Sequence, residues 1–103
     1  MSWAIHHSQS EKLASQAEVV FKQGDRQRAI VLYRLSAEEE ERALEALDPG
    51  KTRTLGITVV SATSLWFKAE ELQQAERVAY RWIAAGHLSA FATAQLQEFL
   101  QTI

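Results

Sequence analysis

Two Phe-Lys pairs, Phe21-Lys22 and Phe67-Lys68, stand at corresponding places in the two halves of a chain of 103 residues. Each sets an aromatic surface beside an ammonium, a combination that takes the apolar side chains and acidic groups of an extended or helical peptide. A phenylalanine closing an apolar stripe is otherwise a core residue, so both readings stand for Phe21 and Phe67. The only imidazoles are His6, His7 and His87. Adjacent histidines at a helix entrance seldom share one metal ion, and all three are expected at the surface. The run Glu38 to Glu41 is the densest group of carboxylates. Consecutive residues point in different directions on a helix, so it reads as a solvated face and not as a cation site. The chain has no cysteine, which removes thiol catalysis, thiolate metal sites and disulfides. No nucleophile-base spacing or phosphate-cradling glycine loop is present. The sequence predicts neither an enzyme nor a cofactor or metal site.

The composition predicts one soluble unit. One hundred and three residues suffice for a single compact domain, 1–103, and a hydrophobic fraction of 47% with 23% charged residues is that of an ordinary globular chain. The 11 basic and 13 acidic side chains leave a net charge of -2, so no broad positive field is available to hold a phosphate backbone. No nucleic-acid partner is expected, although Arg26, Arg28 and Arg34 would be the residues of such a module. The opening MSWAIHHSQSEK lacks a basic region followed by an apolar one, and no apolar run reaches about 18 residues. A cytoplasmic protein with no membrane partner is the expectation.

The elements that must position the Phe-Lys pairs are helices. Ser8 and Glu11 have the S-x-x-E spacing of a capping box and predict a helix start at that point. Leu13, Ala17, Val20 and Phe21 then form an apolar stripe that stops at Gly24, with Asp25 able to cap a second helix. That helix carries Ala29, Ile30, Leu32, Tyr33, Ala37, Ala43, Leu44 and Leu47 as far as Asp48-Pro49-Gly50. The segment from Thr52 to Ala69 contains the β-branched run Ile57 to Val60, which would suit a strand. Leu55, Val59, Ala62, Trp66 and Ala69 keep helical spacing throughout, and a helix is predicted, with Ser61 to Ser64 as a small-residue girdle open to a neighbour. A fourth stripe from Leu72 to Ile83 closes at Gly86. Ser89 caps a last helix carrying Phe91, Ala92, Leu96, Phe99, Leu100 and Ile103. The fold class is all-α, with about five helices.

FKQGDRQRAIVLY (21–33) aligned with FKAEELQQAERVA (67–79) matches Phe with Phe, Lys with Lys and Ala29 with Ala75. Such a repeated helix pair buries its apolar faces by stacking on a neighbour. On Ala17, Phe21, Gly24-Asp25, Ala29, Ile30 and Tyr33, and in the second copy on Trp66, Phe67, Leu72, Ala75 and Ala79, the chain resembles the tetratricopeptide repeat family. The resemblance covers about two repeats, with a capping helix after them, and implies antiparallel hairpins in a short α-solenoid or bundle. It also implies that Ala17 and Ala29 mark the helix contact. Glu70-Glu71 replaces Gly-Asp in the second copy, Thr63 stands where a smaller residue is usual, and the second helix runs about two turns longer than the family repeat.

In that family peptides lie against the first helix of each repeat. Carried over position by position, the resemblance implies a partner-binding face of Glu18, Phe21 and Lys22 with Ser64, Phe67 and Lys68. Ala14 and Glu18 stand where a clamp for a C-terminal carboxylate would need Lys and Asn, so that ligand mode is not implied. The expected function is a non-catalytic adaptor or scaffold that binds a protein segment. The alternative is a self-associating structural or regulatory bundle without a peptide groove, a homodimer or larger homo-oligomer with Trp3, Ile5 and part of the last helix at the interface. Two repeats fall short of the usual three, so the last helix or a second subunit must cover the open face.

Overall fold

The computed structural model describes residues 2–103. Five helices follow one another: α1 (Trp3–Lys22), α2 (Arg26–Glu45), α3 (Thr52–Lys68), α4 (Leu72–Ala85) and α5 (Ala90–Thr102). No strand occurs among the described residues. The β-branched run Ile57 to Val60 is helical, because Leu55, Val59, Ala62 and Trp66 gain burial in one core that also takes Ala37, Leu44, Ala75, Val78, Ala79 and Leu96. Burial of that stripe outweighs local propensity. Each helix packs on the next along the chain, and α5 lies against both α3 and α4. At the α3–α5 crossing Gly56 is buried, and a Cβ there would come within 3.0 Å of the Ala92 Cβ. The Cα extents of 39 × 33 × 18 Å describe a slab, in which α2 packs against both α1 and α3.

The helix-pair corners repeat in backbone detail. Gly24 has a positive φ of 89° and Glu70, at the equivalent place, a φ of 59°. Gln23 and Ala69 before them lie near -81°, -1° and -76°, 0°, while Asp25 and Glu71 after them lie near -94°, 77° and -101°, 73°. The same two hydrogen bonds close each corner. The N–H of Gly24 donates to the Phe21 carbonyl and that of Asp25 to Val20, both at 2.9 Å, as Glu70 donates to Phe67 (2.9 Å) and Glu71 to Trp66 (3.0 Å). This is the helix-ending arrangement that satisfies orphan carbonyls through a left-handed residue. Asp25 caps α2 by accepting from the Arg28 N–H, and Ala17, Ala29, Ala75 and Thr63 are all buried at the hairpin contacts.

Four expectations are corrected. α1 begins at Trp3 and not after Ser8; its cap is Ser2, whose Oγ accepts from the Ile5 N–H. Trp3 is accordingly helical, with its indole N–H donating to Thr58 Oγ1 (3.1 Å) and its ring stacked on His7 at 4.6 Å. Glu38 to Glu41 is no solvated face, since Glu40 is 1% exposed and each of Glu39, Glu40 and Glu41 is bonded to another helix. His6 is buried against Glu39 (2.8 Å). His7 is half-buried and uses both ring nitrogens, Nδ1 on Glu40 (2.9 Å) and Nε2 on Glu11 (2.8 Å). Phe91, expected on the apolar stripe of α5, is 74% exposed.

One physical reason covers the carboxylates. The divergence of successive side chains that spoils a metal site lets a central helix reach several neighbours at once. Glu39 and Glu40 hold α1, Glu41 accepts from the Trp66 indole of α3 (2.7 Å) and the Arg77 guanidinium of α4 (2.6 Å), and Glu45 pairs with Arg81 (2.9 Å). Farther along, Ser10 and Ser36 clasp α1 to α2, each hydroxyl donating to the other residue's carbonyl at 2.9 and 2.7 Å, with both side chains buried.

Candidate functional site

The matched corners bring the ends of α1 and α3 to the two sides of the first half of α2. Phe21 and Phe67 each stand three residues before a left-handed residue, so both project beside a corner of the same shape. Between them lies a cavity of about 340 Å³. Its floor is Ala29, Ile30 and Tyr33 of α2, its walls are Phe21 and Phe67, and its rim carries Arg26, Lys68 and Glu70. Phe21 is 55% exposed and so is not a core residue. Phe67 is half-buried, with its ring 6.0 Å from that of Phe99.

The charges around the cavity are unequal in their pairing. Arg26 forms an ion pair with both carboxylate oxygens of Glu70, linking the start of α2 to the second corner. Lys22 pairs with Glu18 one turn back (3.1 Å), both well exposed. Lys68 pairs with no carboxylate among the described residues; its Nζ lies over the Tyr33 ring, 5.8 Å from the centroid. That is cation–π range. Burial raises the Tyr33 phenol above its ordinary value of 10.0, the Glu18 carboxylate raises it further, and the Lys22 ammonium opposes both. The phenol therefore stays protonated and able to donate at neutral pH.

Of the six carried-over residues, Phe21, Phe67 and Lys68 line the cavity. Glu18 and Lys22 lie outside the lining but within electrostatic reach of Tyr33. Ser64 sits one turn before Lys68 on α3, half-buried and outside the lining. Sequence reasoning missed Tyr33, which it placed on the apolar stripe of α2. The signal for it was available: an aromatic four residues after Ala29, the close-contact residue, faces the same side one turn on. A second recess, lined by Gly56 and Ile57 of α3 with Phe91 and Ala92 of α5, lies between the starts of those helices. No protein-family model, no curated protein and no solved structure matches this chain. Among the described residues no helix is long and apolar enough to cross a membrane.

Proposed function

We propose that the chain is a non-catalytic, tetratricopeptide-like adaptor that binds a segment of another protein in the cavity between Phe21 and Phe67. The single observation that carries this reading is an aromatic cleft with an unpaired ammonium, Lys68, at its rim. Apolar concavities with a few convergent polar groups are where ligands anchor. The equivalence of the two corners supports the repeat resemblance, and a cytoplasmic adaptor is in keeping with a cysteine-free chain. The test replaces Lys22 and Lys68 together with Glu and compares the proteins retained from the source cell by wild type and variant. Retention of the same partners in the same amounts would sink the groove assignment.

A second reading keeps its own observation. Phe91 and Ile57, at 74% and 59% exposed, border the recess between α3 and α5, which suits self-association of a structural bundle. Sedimentation across a concentration series decides it: a strict monomer removes this reading and leaves the first.

A further inference from the structure

We infer that the occupant of the Phe21–Phe67 cavity is a protein segment presenting one aromatic side chain next to a carboxylate. The inference rests on the groove reading above and narrows it to a partner chemistry. A volume of about 340 Å³ lies at the small end of ligand sites, which run from about 300 to 1,000 Å³, and suits one anchoring side chain better than a large cofactor. Rings of Phe21, Tyr33 and Phe67 surround that space, and aromatic pairs offset or tilted against one another gain beyond their buried area.

Charge then selects the neighbour of the anchor. Around the cavity Arg26 is held by Glu70 and Lys22 by Glu18, so each cation is already answered. Lys68 alone is left facing only the π-face of Tyr33. A carboxylate arriving beside the anchor meets an ammonium with no competing partner. A cationic neighbour would meet the Lys68 ammonium, while Arg26 and Glu70 at the rim answer each other. A nucleic acid would also bring a flat ring and a negative charge, but it needs a track of cations along its backbone, and a single unpaired lysine at the cavity rim of a chain of net charge -2 is not that track.

The experiment titrates the isotope-labelled full chain with capped hexapeptides of one frame: GSFESG, its Glu-to-Lys form GSFKSG and its Phe-to-Ala form GSAESG, with a ten-nucleotide oligothymidine as a fourth probe. Amide shifts of Ala29, Ile30 and Lys68 are read. GSFESG should move these amides at a concentration about fivefold lower than GSFKSG, the size expected of one partly exposed ion pair, and GSAESG should fail to saturate. In the Lys68→Glu variant, whose exposed position leaves folding intact by circular dichroism, the preference should reverse toward GSFKSG. Equal response to GSFESG and GSFKSG at these amides overturns the inference while the groove reading survives. Shifts confined to other residues, or none with any peptide, overturn both. A stronger response to oligothymidine than to any peptide overturns the inference in favour of nucleic acid.

Discussion

Glu70 holds the left-handed backbone that Gly24 holds in the first corner, with φ of 59° and 89°. A residue with a Cβ pays about 1–2 kcal/mol for that conformation, and glycine does not. The ion pair that Glu70 makes with Arg26 is exposed on both sides and contributes about 0–1 kcal/mol. Glu70→Gly should therefore stabilise the chain by about 0.5–1 kcal/mol. Gly24→Ala, in open space but at positive φ, should destabilise it by about 1 kcal/mol. Thermal melts check both, at about 4–8 °C per kcal/mol for a domain of this size. A melting point lowered by Glu70→Gly would contradict the equivalence of the corners.

The Ser10–Ser36 clasp predicts non-additivity. Each hydroxyl donates to the other residue's carbonyl and lies 3.0 Å from the other hydroxyl. Ser10→Ala or Ser36→Ala alone should cost about 1 kcal/mol. The double variant should cost less than the sum by about 0.5 kcal/mol, since each single variant already removes the hydroxyl–hydroxyl contact that the two residues share. Urea unfolding of the four proteins in the cycle measures this, and strict additivity would show that the hydroxyls act independently.

Glu41 joins three helices through one oxygen, accepting from Trp66 and Arg77. Glu41→Ala strands the indole N–H of a Trp66 that is nearly buried, at a cost of about 1–3 kcal/mol. Glu41→Gln keeps an acceptor and should cost less. Denaturation midpoints of the two variants should fall in that order.

How far the sequence carried depended on whether a feature was local. The corner at Gly24-Asp25, the cap at Ser89 and the stop at Gly86 were legible because backbone chirality and capping act within a few residues. The start of α1 was not, because Ser8 and Glu11 imitate a cap. The turns before them are held by Trp3 on Thr58, His6 on Glu39 and His7 on Glu40, partners far away in the chain. Glu40 was misread for the same reason: its burial follows from α2 lying between neighbours, which no local pattern records. Of the cavity lining, Phe21, Phe67 and Lys68 were legible through the repeated Phe-Lys pair. Tyr33 was hidden, since a stripe residue at the end of a floor looks like one in the middle of a core.

Tyr33 gives the groove a pH signature. Its phenol is raised above the ordinary value of 10.0 first by burial and then by Glu18, so the folded chain holds that proton more tightly than the unfolded chain does. The resulting stability is complete below about pH 10 and is lost as pH rises through the folded value. In a Tyr80→Phe background, where Tyr33 is the remaining phenol, ultraviolet titration should show ionisation later than in a model peptide. Glu18→Gln should bring it earlier and Lys22→Met later.

Site-specific photo-crosslinking tests the groove most directly. With p-benzoylphenylalanine in place of Phe21, on the wall of the cavity, irradiation in the source cell should join the chain to another polypeptide. The same group in place of Tyr80, exposed on α4 away from the cavity, should not. Loss of that product in the Lys68→Glu variant would tie it to the rim charge. An identical pattern from both positions, or a Phe21 product containing only two copies of this chain, would contradict the adaptor account.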